Sequence, residues 1–199
     1  MVDVITHKVF PTIISEFRFD MDENERDIII KELRYVEKKE NESIIQTRDD
    51  LYKRIPKFKI QIHDIANNIM RETYKYEYDK IDITGMWANQ LSTGETHPPH
   101  THSNNILSGV YYLHARNSAP IQFFDPRPQA SVLHPNIKHS SFENSGMLQF
   151  DSDEGFGLMF PAWLQHWVPE NKDYRISISW NILLRGDYGQ PGTLQNSHI

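Results

Sequence analysis

Side chains on an extended strand alternate faces with a period of two, so histidines two apart aim both imidazoles at one point. The run His97-Pro98-Pro99-His100-Thr101-His102 offers that arrangement through His100 and His102. A third histidine, His166, follows 64 residues later in Phe160-Pro161-Ala162-Trp163-Leu164-Gln165-His166, where a distant strand can return it to the same point. Three donors on one side of a divalent metal leave open positions opposite, where oxygen and a second small molecule bind. Pro98 and Pro99 hold the approach extended, and His97 reads as a neighbour of the pair rather than a ligand. Any one of these histidines alone reads as a hydrogen-bonded structural residue. Together they point to a metal-dependent enzyme.

A second group sits nine residues beyond His166. Arg175-Ile176-Ser177 puts a guanidinium and a hydroxyl on one strand face, and the planar fork of arginine matches a carboxylate bidentately. By the same alternation Arg175, Ser177, Ser179 and Asn181 share one face, while Ile176, Ile178, Trp180 and Ile182 share the other. A polar face toward an interior site and an apolar face toward covering helices fit this pattern. Trp87, Asn89, Tyr112, Arg127 and Trp163 are candidate substrate contacts, though strand aromatics are as readily core packing. Beyond the metal site no catalytic residue stands out. There is no Gly-x4-Gly-Lys-Ser/Thr loop and no Gly-x-Ser-x-Gly elbow, and Gly155-Phe156-Gly157 is only half of a dinucleotide fingerprint.

The elements that must position these residues follow from patterning. Lys8 to Phe19 is rich in Val, Ile and Phe and reads as a strand. Asp22 with Glu25 reads as a capping box, followed by Ile29, Leu33 and Val36 at helical spacing. Glu37 to Asp50 is polar and loop-like. A second helix is expected from Pro56 to Tyr74, with Phe58, Ile62, Ile65 and Ile69 on one face. Short β-type runs then follow at Ile81–Leu91, Ile106–His114, Ile121–Phe124, Met147–Phe150, Gly157–Phe160 and Tyr174–Leu184. Helices first and strands afterwards give an α+β, mainly β, fold class. The expected organisation is one domain, 1–199: a supporting N-terminal part over 1–80, a β core over 81–185 and a loosely held polar tail over 186–199.

The 199 residues include no cysteine, so disulfides, thiolate ligands and a cysteine nucleophile are excluded. A net charge of −6 without a basic stripe argues against a nucleic-acid partner. No apolar run is long enough to span a membrane, and the first residues lack the order of a signal peptide. A cytoplasmic protein is expected, and a homodimer is compatible with the sequence.

Two resemblances organise these residues. Gly94-x5-His100-x-His102, with Gly155-x5-Pro161, His166 and Asn171, resembles the paired metal motifs of cupins, without the glutamate expected after His-x-His and with Trp163 at a usual glycine position. More of the chain resembles the 2-oxoglutarate/Fe(II)-dependent oxygenases. The shared motifs are His100-Thr101-His102, Ser108-Gly109-Val110-Tyr111-Tyr112-Leu113, Asp125-Pro126-Arg127, Phe160 to His166 and Arg175-Ile176-Ser177-Ile178-Ser179, in the family's order from Met86 to Leu184. That resemblance implies a double-stranded β-helix (a jelly-roll, cupin-like barrel) and an oxidoreductase using Fe(II), 2-oxoglutarate and O2. It implies a dioxygenase that hydroxylates a small-molecule or peptidyl substrate, with metal ligands at His100 and His166 and the co-substrate carboxylate on Arg175, Ser177 and Asn181. Position 102, which matches a carboxylate ligand of the broader superfamily, is histidine here. The resemblance leaves open a three-histidine site, a two-histidine site with water, or a carboxylate from elsewhere, with Asp125 the best substitute. The competing readings are a three-histidine cupin-type enzyme that does not use 2-oxoglutarate and a non-catalytic β-barrel binding module.

Overall fold

The computed structural model describes residues 2–38, 44–127 and 132–199. Strand β1 (Ser15–Arg18) leads into helix α1 (Glu23–Tyr35), the short strand β2 (Ile45–Gln46), a 3-10 turn at Leu51–Lys53 and helix α2 (Pro56–Asn68), which widens into a π-helical turn over Ile69–Tyr74. The β region comprises β3 (Lys80–Leu91), β4 (His97–His100), β5 (Leu107–His114), β6 (Ile121–Phe124), β7 (Met147–Phe150), β8 (Phe156–Pro161), β9 (His166–Val168) and β10 (Arg175–Arg185). The tail adds β11 (Asp187–Tyr188) and β12 (Ser197–His198).

These strands form a six-stranded sheet, β1-β8-β5-β10-β3-β2, and a four-stranded sheet, β4-β9-β6-β7. All ladders between named strands are antiparallel. Between β3 and β10 the chain passes repeatedly from one sheet to the other, which is the winding of a double-stranded β-helix. Apart from the two-stranded β11-β12 sheet, the described strands form these two separate sheets rather than one closed barrel.

Alternation along the central strands creates two cores. Ile176, Ile178, Trp180 and Ile182 of β10 pack with Leu107 and Tyr111 of β5 against Ile29, Phe58 and Ile62 of the helices. The opposite face of β5 sends Val110 and Tyr112 to meet Phe123, Leu158 and Phe160 between the sheets. Phe58 anchors the helical side, with its ring centroid 5.2 Å from that of Tyr111 and 5.8 Å from that of Trp180. Asp22 caps α1 by accepting from the Glu25 amide. The Glu25 side chain does not turn back to complete a capping box. Its carboxylate instead accepts the amides of Lys57 at 2.7 Å and Phe58 at 2.9 Å, supplying the cap that Ile55 cannot give to α2.

Three expectations change. Within Lys8–Phe19 only Ser15–Arg18 is a strand, because only those residues reach the edge of β8. The polar stretch after Glu37 includes residues 39–43, outside the described residues, and then the two-residue strand β2, which pairs with β3. The tail is not loose throughout, since β11 pairs with β12.

Gly109 faces the helical core beneath the Trp180 indole. A Cβ there would sit 2.3 Å from a ring carbon of Trp180. Gly109→Ala should therefore lower unfolding stability by about 1–3 kcal/mol, seen as a reduced urea midpoint at unchanged slope.

Candidate metal centre

Strand pairing assembles the histidines. His100 on β4 lies directly opposite His166 on β9. His102 is held beyond the end of β4 by its amide donating to the Ala162 carbonyl at 2.9 Å. The three side chains each offer one ligand atom, and these atoms lie within 4.8 Å of one another. Ring centroids are 4.3 Å apart for His100 and His166, 5.0 Å for His100 and His102, and 5.3 Å for His102 and His166.

Backbone carbonyls orient two of these rings. His100 Nδ1 lies 2.8 Å from the Pro98 carbonyl and His166 Nδ1 lies 2.8 Å from the Leu164 carbonyl. A carbonyl can only accept, so each Nδ1 carries the proton and each Nε2 keeps its lone pair for a metal. Burial favours the same uncharged state. It depresses the proton affinity of His166 to about 3, assisted by His100, and that of His102 to about 4, and it lowers that of His100 as well.

The imidazoles open into a cavity between the two sheets. Arg175 lines it and is 2% exposed. No carboxylate among the described residues pairs with this guanidinium, its Nε has no hydrogen-bond partner, and burial lowers its proton affinity. The Tyr112 hydroxyl, also buried without a partner, belongs to the ring lying 5.0 Å from Arg175 Cζ. Asn89 uses Nδ2 to reach Ser179 Oγ at 3.1 Å and leaves Oδ1 unpartnered. Buried polar groups without partners are costly, and a cavity that gathers several of them is built for a polar guest.

Of the sequence candidates, His100, His102, His166, Arg175, Ser177, Trp87 and Asn89 line this one cavity. The Trp87 ring lies 6.0 Å from that of His102 at a tilt of 47°, and Tyr112 lies beneath Arg175. The others fall elsewhere. Asn181 accepts from Ser108 Oγ at 2.7 Å, beyond the lining. Asp125 is held by Arg127, with Oδ2 2.8 Å from Nη2, and both line a separate groove beside the N-terminal arm. Trp163, in the turn between β8 and β9, is 57% exposed. His97, which reads from sequence as a neighbour of the pair, and Ser179, on the polar face of β10, also line the cavity.

Residues 85–181 match the family model described as "Putative 2OG-Fe(II) oxygenase". The chain belongs to the 2OG-Fe(II) oxygenase family. Solved oxygenase structures share its fold. A Pseudomonas putida prolyl-4-hydroxylase superposes with a TM-score of 0.58 at 10% identity, covering 87% of this chain and 94% of that one. A Trichoplax adhaerens prolyl hydroxylase, solved in complex with a hypoxia inducible factor peptide fragment, gives 0.57 at 8% identity over 85% and 83%. HygX from Streptomyces hygroscopicus, with nickel, 2-oxoglutarate and hygromycin B bound, gives 0.55 at 8% identity over 87% and 83%. No curated protein sequence matches this chain. As a member of this family the oxygenase is an oxidoreductase that uses Fe(II), 2-oxoglutarate and O2. Its nitrogen donors and its unpaired buried cation fit a divalent metal and a dicarboxylate. No helix among the described residues is long and apolar enough to cross a membrane.

The depressed histidines fix a pH dependence for the metal-free oxygenase. In the fold His102 and His166 stay uncharged down to about 4 and about 3, whereas in the unfolded chain they take up protons below about 6.5. The unfolded state thus binds more protons between those limits. Stability is fully present above pH 6.5 and falls as the pH drops through this window. Scanning calorimetry of metal-free protein should give a lower melting temperature at pH 5 than at pH 7, and His102→Phe should shrink the difference. Equal temperatures would contradict the assignment.

Proposed function

We propose that His100, His102 and His166 hold the Fe(II) of this oxygenase, and that Arg175 receives the distal carboxylate of 2-oxoglutarate. The single observation carrying this reading is the guanidinium of Arg175, buried without an acid partner in the cavity that the three imidazoles face. A buried cation left uncompensated is strongly unfavourable. Such a cation favours an anionic co-substrate in the cavity over a metal site or binding module without one. The dianionic co-substrate supplies the missing charge. Ser177, 3% exposed on the same strand face, and the Tyr112 hydroxyl are further donors for that carboxylate. His102 takes the third metal position because Asp125 is engaged by Arg127.

Bound Fe(II) couples the oxidative decarboxylation of 2-oxoglutarate to succinate with insertion of an oxygen atom from O2 into a substrate C–H bond. The protein contributes donor orientation through the Pro98 and Leu164 carbonyls, a fixed counter-charge at Arg175, and apolar walls from Val110, Ile121 and Phe160 that exclude water. The likeness to a prolyl hydroxylase solved with a peptide and to HygX solved with hygromycin B supports hydroxylation of a peptidyl or small-molecule substrate. On this reading residues 81–185 carry the chemistry and residues 1–80 the support, within one domain.

Arg175→Met tests the reading, because the two consequences of removing the charge run in opposite directions. Losing a buried charge-paired contact should raise the 2-oxoglutarate KM by about a hundredfold or more in a succinate-release assay. The metal-free variant should melt at the same temperature as the parent or above it, since an uncompensated cation is gone. An unchanged KM would overturn the assignment.

A further inference from the structure

Strict alternation along β4 puts His97, an odd number of residues from His100, on the opposite face. The structure does otherwise. His97 pairs with Val168 while His100 pairs with His166, so three steps on β4 oppose two on β9. The extra residue is a bulge at Pro98-Pro99, where neither residue has an amide to give the ladder. Bulges of this kind re-aim a side chain. Here the His97 ring lines the same cavity as the metal-binding trio and stacks on His100 at a centroid distance of 4.4 Å and an interplanar angle of 22°.

His97 also sits toward the arginine end of the cavity. Its partner Val168 ends β9, and Leu91, which pairs with Arg175, ends β3. Leu91 and Val168 pack in one buried cluster, which brings the strand partner of His97 beside that of Arg175. Neither ring nitrogen of His97 hydrogen-bonds another described residue, unlike His100 and His166, whose Nδ1 atoms are taken by carbonyls. An imidazole brought into a cavity by a backbone irregularity, with its polar atoms left free, is placed for a guest.

We propose that His97 is a co-substrate contact, donating an N–H hydrogen bond to the 2-oxoglutarate held between the three-histidine centre and Arg175. This rests on the reading of the site given above. His97 then joins Arg175 in holding the dianion.

The test uses the anaerobic Fe(II)-loaded oxygenase and measures two affinities separately, Fe(II) by competition with a chelator and 2-oxoglutarate by calorimetric titration. His97→Phe keeps a ring against His100 but removes the donor, and His97→Gln restores an N–H. Losing a hydrogen bond to a charged group should weaken 2-oxoglutarate binding about tenfold or more in His97→Phe. Fe(II) affinity should stay within about twofold and most of the loss should be recovered in His97→Gln. If His97→Phe does not fold, His97→Leu carries the same expectation. Parental 2-oxoglutarate affinity in the phenylalanine or leucine variant overturns the assignment, as does a matching loss of Fe(II), which would make His97 a support of the metal site. A parent protein that binds Fe(II) but no 2-oxoglutarate overturns both this inference and the reading beneath it.

Discussion

Strand β10 lies between β3 and β5, and its alternation divides the molecule into a half that holds the fold and a half that does the chemistry. Ile176, Ile178, Trp180 and Ile182 face the helices, and Trp180 is wholly buried over the bare backbone of Gly109. The residues between them, Arg175, Ser177 and Ser179, face the cavity. The two functions cannot be separated, because a one-residue slip would put the guanidinium into the helical core and the isoleucines into the site. The aromatic packing of Phe58, Tyr111 and Trp180 therefore keeps Arg175 in place, although none of the three touches the cavity.

The cavity has an unusual charge balance for a metal centre. Its lining contains four histidines and an arginine but no carboxylate. Uncharged imidazoles neutralise none of the charge of a divalent cation, and Arg175 adds another positive charge. A site of this kind favours an anionic guest, and a dicarboxylate that chelates at one end and meets a guanidinium at the other satisfies both demands. With a histidine rather than a carboxylate at position 102, the proposed site depends more on its co-substrate for charge balance.

Much of this was legible in the sequence wherever a regular period governed the side chains. Helical spacing located α1 and α2, and the period of two identified both faces of β10, whereas His102 lies past the end of β4 and is placed by its amide on the Ala162 carbonyl. The residues misread are those where the period breaks or where a local partner intervenes. His97 has the opposite strand parity to His100, yet the bulge at Pro98-Pro99 turns it into the cavity. Asn181 has the expected parity but lies beside a register shift and is tied to Ser108. Asp125, weighed as a ligand, meets Arg127 two residues on. Trp163 stands in a turn closed by the Leu164 amide on the Pro161 carbonyl, which sends its ring outward. A proline pair signals a break in the ladder, but which side chain the break re-aims depends on the neighbouring strand.

The central claim is that three imidazoles and one buried guanidinium together define the binding site for metal and co-substrate. The most direct measurement is a crystal structure of the oxygenase grown anaerobically with Mn(II) and 2-oxoglutarate. The account predicts metal bonded to Nε2 of His100, His102 and His166, chelated by the keto acid, with the distal carboxylate on Arg175. Metal coordinated by Asp125 in place of His102, or 2-oxoglutarate bound away from Arg175, would contradict it.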